Sequence, residues 1–195
     1  MTDQHLFFAV LGSSIGIIGY VLYLRSVFSG STKPHIFTWL IYAFIDSIIF
    51  VIQILEGGGP GAWVTSIGVI GNTVIALSCI RSGERKIAVS DWISFLSALL
   101  GIVLWRMTDN PLLAVCVITV TNTLAVFPTL RKSFRNPYEE SVTIWGLDVL
   151  RSTFGLFALS SFTLTTSLFP IGVLLTNSTL IGVIMVRRYV MGKKT

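Results

Sequence analysis

The stretch "LRKSFRNPYEESVTIW", Leu130–Trp145, has an earlier counterpart in "LRSVFSGSTKPHIFTW", Leu24–Trp39. A constant shift of 106 residues lays one on the other without a gap. Leu24 then meets Leu130, Arg25 meets Arg131, Phe28 meets Phe134 and Trp39 meets Trp145. With one small gap, "IGVIGNT" (Ile67–Thr73) also lies on "IGVLLTNST" (Ile171–Thr179), which sets Asn72 against Asn177. A repeated pattern of this period means two copies of one structural unit.

What surrounds these stretches is apolar. Of 195 residues, 53% are hydrophobic and only 12% charged, with a mean hydropathy of +0.81. Soluble domains average about 25% charged residues. The chain therefore reads as an all-α integral membrane protein of one domain, with the lipid bilayer as its first partner. The net charge of +5 does not imply nucleic acid. The basic residues fall in short clusters between apolar runs, which suits membrane orientation.

A helix needs about 20 mainly apolar residues to cross the hydrocarbon core. Seven runs qualify: Leu6–Phe28, His35–Leu55, Ala62–Ile80, Asp91–Met107, Pro111–Leu130, Val142–Ser160 and Thr163–Val186. The breaks "SGSTKP", "EGGGPG", "RSGERK", "TDNP" and "RNPYEE" carry Gly, Pro and charge, while "LSSFTL" is the weakest. The start "MTDQHLFFAV" has no basic n-region, so its apolar run is expected to stay as a span.

Twelve of the fourteen basic residues fall in the first, third and fifth connections and at the C-terminus. An odd number of spans puts these on one face. The rule that such residues stay inside predicts an outside N-terminus and a cytoplasmic C-terminus, in the cell (inner) membrane. Residues 6–80 and 111–187 are the two three-helix copies, and 91–107 is a linker helix. Three crossings would leave a direct copy upside down, and one extra helix restores its direction. The expected fold is seven transmembrane helices, as two parallel three-helix bundles joined by that linker.

This 3+1+3 plan resembles that of the SWEET sugar transporters and the related PQ-loop and PnuC vitamin-transporter families. "FPTLRKSFRNPYEESVTIW" is similar to the PQ-loop element: Pro128 ends a helix on the cytoplasmic side, then basic residues, a Ser and Trp145 follow. The resemblance implies a hinge at Pro128 and substrate contact by the paired Asn72 and Asn177. In the first copy the Pro dipeptide is replaced by Leu22–Tyr23. The Lys33-Pro34 and Thr38-Trp39 element also resembles small bacterial seven-helix membrane proteins, which implies a prokaryotic source.

Ionisable groups inside spans are costly and usually face a bundle interior or a wet cavity. Asp46, Asp148 and Arg151 are such groups. Asp148 and Arg151 stand at i, i+3 and share a helix face, so one reading is a local ion pair. Asp46 falls close to the repeat equivalents of both, and all three can meet across the central interface. One carboxylate is then left over for a cation, a proton or a substrate amine or hydroxyl. Asn72, Asn177 and Asn122 are candidate lining residues at similar depth. Asn122 and Gln53 also suit interhelical hydrogen bonding. Trp39 and Trp145 are either interfacial anchors or pocket walls. "GSSIGIIG" (Gly12–Gly19) suits close helix packing.

These residues point to a carrier of a small polar solute such as a sugar, nucleoside or vitamin, working by alternating access without a cofactor. The alternative is a non-transporting accessory or sensor protein, and self-association stays open. A retinal receptor needs a Lys within a span, and there is none. No HExxH or Ser–His pattern supports an enzyme or a metal site. Cys79 and Cys116 fall towards opposite membrane faces and read as small buried apolar residues.

Overall fold

The computed structural model describes residues 3–30, 36–82, 89–139 and 142–192. The Lys33-Pro34 element and the basic residues Arg85, Lys86, Lys193 and Lys194 lie outside the described residues. Every regular element is helical: α1 (Asp3–Phe28), α2 (Ile36–Leu55), α3 (Pro60–Ser82), α4 (Val89–Thr108), α5 (Pro111–Ala125), α6 (Phe127–Arg135), a 3-10 turn at Pro137–Glu139, α7 (Val142–Ala158) and α8 (Leu164–Gly192).

The apolar runs become helices because each is flanked by residues that end one. After α1, Gly30 takes φ +76, and its N–H donates to Val27 O at 3.0 Å, a glycine C-terminal closure. Asn110 caps α5 by accepting from Leu112 N, with Pro111 at the first helical position. The expected fifth span, Pro111–Leu130, is not one unbroken helix. It breaks at Val126, whose N–H turns to Thr123 O at 3.3 Å. Pro128 has no N–H to donate to the carbonyl four residues back, so the hydrogen-bond ladder is interrupted there. The counterpart of Pro128 in the first copy is Leu22, and α1 runs through it without interruption.

Five helical stretches are long and apolar enough to cross a membrane: α1, α2, Pro60–Ile80, Pro111–Arg135 and α8. The apolar part of α4 is shorter, Phe95–Thr108. The α7 helix has 17 residues and carries both Asp148 and Arg151, which lowers its hydropathy. Large side chains such as Phe7, Val10, Ile17 and Val21 of α1 and Trp63, Ile70 and Leu77 of α3 face outward. An apolar exterior of this extent needs lipid around it. The chain is an all-helical, multi-pass membrane protein.

Helix neighbours repeat between the two halves. Within the first, α3 lies against both α1 and α2; within the second, α8 lies against both α5 and α7. Across the halves, α1 meets α7 and α2 meets α5, while α3 meets α7 and α2 meets α8. The α4 helix packs on α5 and α2. One inter-half seam is filled by Ile45, Ile48, Ile49 and Ile52 of α2 against Ala98, Val115, Ile118 and Phe169. The other is thinner: Ala9, Val64 and Ala158, with Phe8 beside them. There α1 comes close because it presents glycine. A Cβ on Gly12 would stand 3.2 Å from Phe154 Cβ, and one on Gly16 would stand 2.9 Å from Arg151 Cδ.

Candidate functional site

A line of polar side chains crosses the middle of this helix assembly. On α1, Tyr20 lies four residues beyond Gly16, on the same face. Its Oη donates to Asn72 Oδ1 of α3 at 3.1 Å. Asn72 Nδ2 donates in turn to Asp46 Oδ2 of α2 at 3.0 Å. The second half repeats the last step: Asn177 Nδ2 of α8 donates to Asp148 Oδ2 of α7 at 2.6 Å. Arg151 Nε closes on Asp148 Oδ1 at 2.7 Å.

Each half thus contains one carboxylate on its second helix, held by one asparagine on its third. The carboxylates do not occupy identical repeat positions. The ungapped shift carries Asp46 to Ser152, one helical turn beyond Asp148, and a turn leaves a side chain on the same face.

Gly68 joins the two halves of the network. A Cβ there would collide with Asp46 Oδ2 and stand 3.2 Å from Arg151 Nη1. The guanidinium therefore passes Gly16 of α1 and reaches Gly68 of α3, which the Asp46 carboxylate also approaches. Among the described residues, Arg151–Asp148 is the only ion pair within 4.0 Å in this network. Asp46 is 7% exposed and has no such partner. Asp148 keeps 30% of its side chain exposed.

Beside Asp46 and Arg151 lies a cavity of about 30 Å³, lined also by Thr65, Ser152, Phe169 and Pro170. That is room for one or two waters. It is too small for a sugar or nucleoside in this conformation.

Gln53 forms a further polar knot. Its Nε2 donates to Thr166 O at 3.0 Å, and its Oε1 accepts from Thr65 Oγ1 at 2.6 Å. Pro170 explains the first bond. It sits inside α8 and brings no N–H, so the carbonyl four residues back needs another donor. Gln53 is interhelical glue.

The segments 56–61 and 159–161 meet closely. Ser160 N donates to Gly58 O at 3.0 Å. A Cβ on Gly61 would stand 2.9 Å from Leu159 Cα. Gly57 and Gly59 take φ of +73 and +59, conformations that favour glycine. His5 Nδ1 lies 3.1 Å from Phe157 O, joining the ends of α1 and α7.

The sequence-selected residues divide accordingly. Asp46, Asn72, Asp148, Arg151 and Asn177 come together. Asn122 does not join them: it makes no hydrogen bond among the described residues. Its repeat counterpart is Gly16, so the position that admits Arg151 in one half carries an amide in the other. Trp39 packs on Tyr23 and Tyr42, with centroids 4.8 and 6.0 Å away. Trp145 packs beside Val126, Leu180 and Ile184. Neither indole is hydrogen-bonded into the network. The helix break stands two residues before Pro128. Both Asn72 and Asn177 are engaged by carboxylates rather than standing free for a ligand.

Sequence reasoning missed Tyr20, Gly16 and Gly68 as members of the site. The spacing of Tyr20 from Gly16 is the one visible signal for the first two. For Gly68, only the approach of two other helices shows the need for glycine. Changing Tyr20→Phe removes one interhelical bond and should cost about 0.6–1.7 kcal/mol, read as a small fall in Tm of the purified protein. No loss at all would mean that the bond is not formed in the folded protein.

No family model, curated protein or solved structure matches the chain.

Proposed function

We infer that this chain is a membrane carrier or facilitator of a small polar solute, built of seven transmembrane helices in two equivalent three-helix units. The observation that carries the reading is the paired Asp46–Asn72 and Asp148–Asn177 arrangement at the centre of the molecule. Polar groups at this depth are expensive, and carriers place them where repeated units meet. The exchange of helix neighbours between halves supports two equivalent units. In this reading α4 is the linker that keeps both units parallel.

The basic connections lie on the cytoplasmic face, and the glycine-rich seam at 56–61 against 159–161 closes the outer face. Asp148 retains exposure, although its helix face is the one opposite lipid-facing Leu150. This arrangement suits an inward-facing state of an alternating-access cycle. Transport then requires the Gly58–Ser160 seam to part and the network to open enough to admit a solute. The rearrangement would exchange amide–carboxylate bonds for bonds to substrate, which suits a ligand rich in hydroxyl or amide groups.

The test is a thermal-shift screen of purified protein against sugars, nucleosides, vitamins and amino acids, followed by uptake of any hit into proteoliposomes. Asn72→Ala and Asn177→Ala should each abolish the stabilising shift. A ligand that binds equally well to both variants would remove the central site from the reading.

A second reading has its own observation: the amides and carboxylates largely satisfy one another, and the adjoining cavity holds only water-sized ligands. A non-transporting accessory protein would look this way. It predicts no uptake of any hit, with stability falling in both Asn variants.

A further inference from the structure

We propose that Asp46 is a proton-binding site, and that its protonation decides whether Arg151 stays with Asp148 or is drawn to Asp46. As a coupling device this rests on the transport reading; as a proton site it stands by itself.

Three observations converge. First, two acids share one arginine. Arg151 Nε is bonded to Asp148, while its Nη1 borders the same Gly68 surface as Asp46 Oδ2. Second, Asp46 is the more buried acid and receives only the neutral amide of Asn72 as a hydrogen-bond donor. A lone carboxylate at that depth is costly, and a proton removes the charge. Third, Asp46 lines the cavity of about 30 Å³ with the hydroxyl-bearing Thr65 and Ser152. A water there can carry a proton to or from the carboxyl group.

The surroundings leave few other titratable groups to take that role. Tyr20 faces the network from α1, and Arg151 and Asp148 face it from α7. The α3 helix offers Gly68, Asn72 and Thr65 at this level, with Cys79 about two turns beyond Asn72. From α8 comes Asn177, and from α5 the nearest titratable type is Cys116. The ionisable residues of α4, Asp91 and Arg106, stand near its ends. A metal cation fits the cavity poorly. The guanidinium forms part of its wall, and like charges repel strongly where water is scarce.

The step balances simply. The O–H bond of protonated Asp46 breaks, the proton passes to the cavity water, and the electron pair remains on the carboxylate. Arg151 keeps its charge throughout. With Asp46 neutral, Arg151 and Asp148 form a neutral pair and Asn177 stays bound to Asp148. With Asp46 ionised, Arg151 is attracted across Gly68, and the Asp148–Asn177 arm loosens. Gly16 and Gly68 provide the side-chain-free path for that movement.

The test is infrared difference spectroscopy of the full chain in nanodiscs during a pH titration. It reads the C=O stretch of protonated carboxyl groups and needs no substrate. The expected result is a buried-carboxyl band that disappears as pH rises. The band should be lost in Asp46→Asn and kept in the Asp148→Asn/Arg151→Leu double variant, which removes the other acid without freeing the guanidinium towards Asp46. No such band in the wild type, or its survival in Asp46→Asn, overturns the proposal. Should Asp46→Asn fail to fold, the Asp148→Asn/Arg151→Leu double variant still decides: loss of the band there assigns the proton to the wrong acid. Displacement of the band by sodium at constant ionic strength replaces the proton with a metal cation and also overturns it. A band that behaves as expected in a protein without uptake supports the proton site and refutes transport separately.

Discussion

Replacing Arg151 with leucine should destabilise the protein by up to about 3–5 kcal/mol, the figure for one partner of a fully buried ion pair, which is an upper bound for this part-buried pair. The deleted side chain is the cation of the 2.7 Å pair with Asp148. Leucine fills much of the space between Gly16 and Gly68 and leaves Asp148 charged, with one amide from Asn177 for support. On the scale for a chain of this size, a fall in Tm of up to roughly 6–20 °C follows. Asp148→Asn should be damaging for the converse reason, since it leaves Arg151 without its carboxylate. The double change removes both charges together and should recover stability to within about 1 kcal/mol, because a neutral replacement of a buried pair is often tolerated. Uptake should not recover with it if the pair takes part in the transport cycle. A double variant that regains both folding and uptake would make the pair purely structural. Single variants as stable as the wild type would mean that these charges are not buried together at all.

Gln53→Leu should cost about 1–3 kcal/mol for each buried polar group it strands. The groups are the Thr166 carbonyl and the Thr65 hydroxyl. The carbonyl needs Gln53 only because Pro170 withholds the helical donor. Pro170→Ala restores that N–H, so the same Gln53→Leu change should become cheaper in the Pro170→Ala background. The expected coupling in a double-mutant cycle is on the order of 1–2 kcal/mol, within the range for contacting groups. Equal costs in both backgrounds would show that Gln53 does not compensate for the proline. Since Thr65 and Pro170 also line the cavity beside Asp46, this knot fixes one wall of the central site.

The helix positions were largely legible from the amino-acid order. The breaks at "SGSTKP", "EGGGPG", "TDNP" and "LSSFTL" separate elements because glycine, proline and charge disfavour a continued apolar helix. The fifth apolar run holds a break that its hydropathy does not show. Pro128 was noted as a hinge, and its missing N–H is what interrupts the helix at Val126. Asp46, Asp148, Arg151, Asn72 and Asn177 stood out because polar groups are rare in such runs. Asn122 stood out equally, yet it remains outside the network. Its chemistry alone carries no information about which neighbour comes within reach.

Sequence by itself determined that the chain is helical and apolar enough to pass through a membrane several times. Those properties follow from local composition and spacing: each apolar run must satisfy its own backbone hydrogen bonds in hydrocarbon, and a helix does so without help. Tertiary structure alone decided the pairing of each carboxylate with the asparagine of its own half. It also decided the passage of Arg151 towards Gly68 and the rescue of the Thr166 carbonyl by Gln53. Those contacts join residues far apart in the chain, including Gln53 and Thr166, 113 positions apart. Their geometry depends on how closely glycine faces let neighbouring helices approach, a quantity no single segment contains.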